Sequence, residues 1–164
     1  MATTLPVQTH QHHERIMSYV DRMPALGDLI GTSQSAALRT QLDELVPFLT
    51  GTLLPHVDSA EKTLYPELER LQQNAHSMSP MRREHAQIRK LVDEIAALRR
   101  TFDVGNPGVR DTVALRRSTF GLYGLLKVHL AEEELYMHIV ERGVSADAAN
   151  ALAAAMDHPV VATV

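Results

Sequence analysis

The sequence predicts an all-α fold, namely an antiparallel, up-down four-helix bundle with a short extra helix at its C-terminal end. Apolar residues recur every three or four positions along most of the 164 residues, as they do on one face of a helix. Proline and glycine interrupt this pattern and leave short to medium connections between long helical segments. No stretch has the alternation of apolar and polar residues that is typical of a strand. Long helices joined in this way pack antiparallel as a bundle.

The first two helices are predicted in the N-terminal half. The first covers about residues 9–23 and ends where the stretch "PALGDLIG" breaks its apolar periodicity. The second begins near Ser35 and runs toward Leu71. It is expected to be kinked or divided by three prolines, because proline lacks the N–H that a helix interior needs; these are Pro47, Pro55 and Pro66.

The third and fourth helices each begin with a recognisable start signal. Ser79 is an N-cap before Pro80, and Asn106 is an N-cap-like residue before the next proline. The fourth helix ends at Gly143, so that the bundle covers about residues 9–142. Ser145 can cap a short alanine-rich helix at about residues 145–157, and a flexible tail is expected after it.

Length and composition narrow the class of protein. A chain of 164 residues predicts one domain, residues 1–164. There is no cysteine, so disulfides and thiolate ligands are excluded. The net charge of -4 and the lack of a basic patch argue against a nucleic-acid partner. No signal sequence or run of 18 apolar residues is visible, so a cytoplasmic protein without a membrane partner is expected. Nine histidines are the unusual feature.

Two stretches of the sequence pair a histidine with a carboxylate. They are "HVDSAEKTLYPEL", from His56, and "HLAEEELYMHIV", from His129. The chain also contains a weak internal repeat, in which "HHERIMSYVDRM" aligns with "EHAQIRKLVDEI". His13 and His85 are 72 residues apart, and Glu61 and Glu133 are separated by the same number. Two such helix pairs would bring six side chains to the middle of a bundle: His13, His56, Glu61, His85, His129 and Glu133.

These six side chains suit a metal centre. Imidazole and carboxylate together favour iron, manganese or zinc over calcium and magnesium, which prefer oxygen ligands alone. Four histidines and two carboxylates are enough for two ions that share bridging carboxylates, with a coordination position left for a small ligand. A bound cation would also remove the cost of burying an unpaired carboxylate.

The order His…His-Glu…His…His-Glu resembles the hemerythrin-like family of HHE cation-binding domains. "LYPEL" and "REHAQIRKLVDEI" resemble it as well, and the resemblance covers roughly residues 9–142. It implies a four-helix bundle with a non-haem di-iron centre, its two iron ions bridged by oxo or hydroxo and carboxylate groups, with zinc or manganese as substitutes. It also implies O2 binding or sensing, or related iron–oxygen and iron–NO chemistry.

The first His-Glu pair departs from the regular spacing of the second. His129 and Glu133 are four residues apart and share a helix face, whereas His56 and Glu61 are five apart. Five residues of an ideal α-helix turn through about 500°, which leaves Glu61 about 140° from His56. A π-bulge adds one residue to a turn and would bring Glu61 back onto the face. The hypothesis is that a locally distorted helix presents Glu61 as a ligand.

Some assignments stay open at this point. His10, His12 and His13 all lie in the first helix; the repeat selects His13, His10 is the substitute or extra ligand, and His12 is expected to be solvated. Tyr65 and Tyr136 follow the acids by about one turn. Each can pack in the core, replace a ligand, or donate a hydrogen bond from outside the ligand set.

Four functions are compatible with this pattern. The first is a di-iron protein that binds or senses O2 or another diatomic ligand such as NO. The second is a di-iron redox enzyme that consumes peroxide, NO or O2, and the third is an iron-buffering protein. The fourth is a bundle whose histidines bind no metal, which would leave several buried histidines and carboxylates without partners. The sequence alone does not distinguish the first three.

Overall fold

The computed structural model describes residues 5–32, 36–104 and 107–156. The expected helix start at Ser35, the expected cap at Asn106 and the tail from residue 157 lie outside these ranges. The helices are α1 (Leu5–Val20), α2 (Met23–Leu29), α3 (Ala36–Phe48), α4 (Leu54–Ser59), α5 (Tyr65–Leu71), α6 (Ser79–Val104), α7 (Val109–Gly143) and α8 (Ala146–Met156). The part of the chain that the structure describes contains no strand, and the predicted all-α fold is confirmed.

Helices α3, α4 and α5 form one continuous rod from Ala36 to Leu71. Two π-helical turns, Leu49–Leu53 and Ala60–Leu64, join the three α-helical segments. Pro55 and Pro66 lie in the first turn of α4 and α5, directly after these wide turns. Because a proline cannot donate a hydrogen bond to the preceding turn, the helix widens before each of them. The expected division of the second helix is therefore observed at Pro55 and Pro66, with π turns at the divisions, whereas Pro47 lies inside α3 and does not divide it.

A short helix occupies part of the predicted break after Met23. Helix α2 has Pro24 in its first turn, where the missing N–H has no intrahelical role. It packs closely on α7, since a Cβ atom added at Gly27 would lie 2.7 Å from the Phe120 ring. Gly31, with φ of 90°, follows the helix in a conformation that favours glycine.

The bundle is formed by α1, the α3–α5 rod, α6 and α7, with contacts between α6 and α7, α1 and α7, and α3 and α6. Helix α8 packs against α1, α4 and the second π turn. Two apolar clusters form the core. One includes Ile16, Val57 and Leu126, and the other includes Leu64 and Met137. Buried polar side chains lie at the junction of the two clusters: His13, His56, His85, His129 and Glu133.

The length and polarity of the helices indicate whether any of them could cross a membrane. Within the described ranges, none of the helices combines the length and the apolar character that crossing a membrane requires.

Candidate metal centre

Glu133 lies at the middle of the buried polar cluster. It projects from α7, and its Oε2 atom is 3.0 Å from Nε2 of His56 on α4 and 3.3 Å from Nε2 of His13 on α1. The side chains of His56 and Glu133 are fully buried, and that of His13 is 6% exposed. One donor atom from each of these three residues lies within 4.8 Å of the other two. The three side chains can therefore hold one cation.

A second group of donors adjoins the first and shares Glu133. His85 on α6 and His129 on α7 face each other, with their Nε2 atoms 3.1 Å apart. Donor atoms of His85, His129 and Glu133 all lie within 4.8 Å of one another. Because Glu133 belongs to both groups and has two oxygen atoms, its carboxylate is placed where it can bridge two cations.

Two further carboxylates hold these imidazoles from outside the cluster. His85 donates from Nδ1 to Oε1 of Glu61 over 2.9 Å, and His129 donates from Nδ1 to Oε2 of Glu84 over 2.8 Å. A proton on Nδ1 of a neutral imidazole leaves Nε2 as a lone pair. Both lone pairs then point into the cluster and toward each other, an arrangement that a cation between them would stabilise.

Glu61 occupies this outer position instead of the inner one that the internal repeat predicts. Its side chain is 25% exposed, and Arg89 donates to its Oε1 atom over 2.9 Å. The predicted π turn is present at Ala60–Leu64, where the N–H of Tyr65 donates to the carbonyl of Ala60. The extra residue is therefore accommodated after Glu61, so the turn does not rotate Glu61 onto the His56 face. The structure thus brings five of the six predicted residues together and places Glu61 behind His85.

The π turn rotates Tyr65 toward the centre, whereas Glu61 was the residue expected to turn there. In a regular helix it would lie about 180° from His56, nine residues earlier, and one π turn reduces this angle to about 80°. Tyr65 is fully buried, and its hydroxyl donates to Nε2 of His85 over 3.0 Å. Its ring stacks on the imidazole of His85. A phenol oxygen therefore lies beside the second group of donors.

The other predicted residues lie farther out. Tyr136 is half-buried and packs against the apolar cluster that contains Leu64 and Met137. His10 is 54% exposed and contacts the carboxylates of Glu14 and Glu134.

The expectation that His12 is solvated is wrong. It is 2% exposed, its ring centre is 5.1 Å from that of His56, and Arg15 donates to its Nδ1 atom. Helix α1 packs on α8 as well as on α7, which buries more than one face of the helix.

Glu84 is a further residue of the site, which the spacing within α6 could not reveal. It directly precedes His85 but acts on His129, a residue of the neighbouring helix. A carboxylate next to a candidate ligand in the sequence is a weak signal, because exposed acids are common on helix surfaces. Its role depends on how α6 and α7 pack.

The electrostatic environment favours the protonation states of His56, His85 and Glu133 that can bind a cation. Burial, together with the nearby His129, lowers the pKa of His85 to about 4, and burial also lowers the pKa of His56. Burial alone would raise the pKa of Glu133, but the imidazoles of His56 and His13 hold that pKa well below its usual range. Neutral imidazoles and an ionised carboxylate are the protonation states that bind metal.

The free donor atoms of the cluster also fit a cation. Neither ring nitrogen of His13 makes a hydrogen bond within the described residues, and the same holds for Nδ1 of His56 and Oε1 of Glu133. Buried polar atoms of this kind usually have a partner. The two Nε2 atoms, 3.1 Å apart, are close enough for one cation to bind both.

Three comparisons with known proteins were informative to different degrees. The searches of the curated proteins and of the solved structures found no match to this chain. The sequence profile of the hemerythrin HHE cation-binding domain matches residues 7–140, which include nearly all of the four bundle helices and every residue of the cluster. The family and the His/carboxylate cluster together indicate a metal-binding protein. The chain belongs to the hemerythrin HHE cation-binding domain family.

Proposed function

We propose that the chain is a non-haem di-iron protein that binds or senses O2 or another small diatomic ligand such as NO. The observation that carries the proposal is the pair of imidazole lone pairs, on His85 and His129, held 3.1 Å apart by carboxylates outside the cluster. Two facing lone pairs repel each other, the Tyr65 hydroxyl donates to only one of them, and a cation would bind both. Iron fits the mixture of imidazole and carboxylate donors.

In this proposal the two ions share Glu133. His13 and His56 hold one ion, and His85 and His129 hold the other. When bound, iron supplies a redox-active Lewis acid with room for a diatomic ligand. The chain keeps its imidazoles neutral and oriented, and the surrounding apolar clusters exclude bulk water.

Tyr65 is proposed as the oxygen donor to the second ion, in the role that the internal repeat predicts for Glu61. Burial raises the pKa of Tyr65, so the phenol keeps its proton in the protein without metal. A cation beside the oxygen reverses this preference, because it stabilises the phenolate. We expect Tyr65→Phe in the iron-loaded protein to remove a visible charge-transfer band and to cost only about 1 kcal/mol of stability in the metal-free protein. An unchanged spectrum would exclude Tyr65 as a ligand.

A redox enzyme that consumes peroxide, NO or O2 is the second candidate, and the same residue favours it. In this alternative Tyr65 keeps its proton beside the metal, and its buried phenol is the proton source at the centre. Anaerobic loading with ferrous iron followed by exposure to O2, NO or peroxide separates the two functions. A spectrum that reverses when O2 or NO is removed supports binding or sensing, whereas repeated turnover supports the enzyme. Failure to respond to any of the three would contradict both.

A further inference from the structure

A cavity of about 150 Å³ lies between α1 and α7, beside the histidine that α1 contributes to the centre. Exposed and buried groups both line it: His10, Glu14, Glu134, His13, Met17 and Leu130. The cavity has room for several water molecules. It therefore connects solvent with a residue of the buried cluster.

The buried side of the cavity carries an imidazole without a hydrogen bond. His13 is 6% exposed, and neither of its ring nitrogens has a hydrogen-bond partner among the described residues. Its Nε2 atom lies 3.3 Å from Oε2 of Glu133, the carboxylate common to both donor groups. An ion that reached His13 through the cavity would be next to the shared carboxylate of the centre.

The exposed side of the cavity is acidic. Glu14 is 66% exposed and Glu134 is 43% exposed, and the two carboxylates contact opposite nitrogens of His10. The contact with Glu134 raises the pKa of His10, so one positive charge can stand between these two negative ones. No lysine or arginine is among the described residues that line the cavity, so the opening stays acidic. Carboxylates grouped at the opening of a cleft raise the local concentration of cations and their rate of association.

We propose that this cavity is the entrance through which a divalent metal cation reaches the centre. Glu14 and Glu134 attract the hydrated ion, and His13 receives it on the buried side. The inference rests on the proposed function, because an entrance presupposes a centre that binds metal. It assigns the acidic opening a kinetic role in loading, separate from the groups that hold the ion at equilibrium.

The test compares rates of uptake. Metal-free protein is mixed with Co²⁺ at low ionic strength, and cobalt absorption is followed by stopped flow. We expect the double variant Glu14→Gln/Glu134→Gln to take up Co²⁺ about tenfold more slowly than the unmodified protein. The difference should shrink as salt screens the charges, and the amount of Co²⁺ bound at saturation should not change.

The matched control is Glu44→Gln/Glu94→Gln, which removes the same charge from carboxylates that contact Arg22 and Arg117 on other surfaces. Its uptake rate should stay near that of the unmodified protein. Equal slowing in both double variants would show an effect of net charge alone and would overturn the proposal. A loss of bound Co²⁺ at saturation in the Glu14/Glu134 variant would also overturn it, because these carboxylates would then be ligands.

A second variant tests the path by its size. Ala131 is exposed and lines the cavity, so Ala131→Phe should slow uptake at every salt concentration. Ala131→Leu, with its helix content checked by circular dichroism, serves if the larger side chain prevents folding. Unchanged rates in both variants would place the entrance elsewhere. If the unmodified protein binds no Co²⁺ at any concentration, the metal centre itself is wrong, which is distinct from a wrong entrance.

Discussion

At the scale of single residues, the carboxylates outside the cluster determine how the imidazoles inside it are oriented. Glu61 and Glu84 each accept the Nδ1 proton of an imidazole and so turn its Nε2 atom toward the centre. Spacing along a helix was sufficient to predict His85 and His129. It was not sufficient to predict Glu84, because the partner of Glu84 lies on another helix. It also did not show that Glu61 would contact His85 at Nδ1, outside the cluster.

Replacement of Glu84 by glutamine should weaken metal binding. The amide is a poorer acceptor for the Nδ1 proton of His129, so the imidazole loses both orientation and basicity, and affinity should fall about 10- to 100-fold. Competition with a chromophoric chelator measures this. Glu94→Gln, on the same helix but in contact with Arg117, is the matched control. Equal affinities for the two variants would show that Glu84 has no role in positioning His129.

At the scale of helices, the second π turn decides which side chain of the α3–α5 rod faces the centre. The five-residue spacing of His56 and Glu61 predicted such a turn, and the turn is present at Ala60–Leu64. The spacing does not show where within the turn the extra residue falls. Because it falls after Glu61, Tyr65 is rotated toward the centre and Glu61 stays outside.

Deletion of Lys62 should convert the π turn into an ordinary α-helical turn. Tyr65 would then follow His56 by eight residues of regular helix, which is again about 80°, so Tyr65 stays beside His85 and α5 keeps the packing of Leu64 and Leu68. We therefore expect the deletion variant to bind metal about as well as Lys62→Ala, which keeps the π turn. Loss of metal binding in the deletion variant alone would show that the widened turn itself is needed for the site.

At the scale of the whole molecule, the centre lies at the junction of two apolar clusters and is formed by four helices that are distant in sequence. The bundle and its long helices could be predicted from apolar periodicity, since a wide apolar stripe has to be buried. The burial of His12 could not be predicted in this way, because it depends on how α1 packs against the other helices, including α4, whose His56 ring lies beside that of His12. Helix α2 was missed because its proline and its glycine, Pro24 and Gly27, are equally common in turns.

The stability of the metal-free protein should fall on acidification. The pKa of His85 is about 4 in the folded protein and near 6.5 in the unfolded chain. Between these values only the unfolded chain binds the proton, so the free energy of unfolding decreases as pH falls from 6.5 to 4, by up to about 3 kcal/mol for this group. The lowered pKa values of His56 and Glu133 act in the same direction.

Urea unfolding at pH 7, 5.5 and 4.5 measures this effect. In the variant His85→Gln the free energy of unfolding should depend less steeply on pH. A bound divalent ion should raise stability at pH 7 through mass action. Stability that stays constant or increases between pH 7 and 4.5 would contradict the buried, neutral state of these imidazoles.

The metal content of the untagged protein, purified from iron-replete cells, tests the central claim most directly. We predict about two iron ions per chain by elemental analysis, with oxo-to-iron charge-transfer bands in the absorption spectrum. Replacement of His56, His85 and His129 together should remove the bound iron and the charge-transfer bands. A protein without bound metal, or one whose metal content is unaffected by these replacements, would contradict the account.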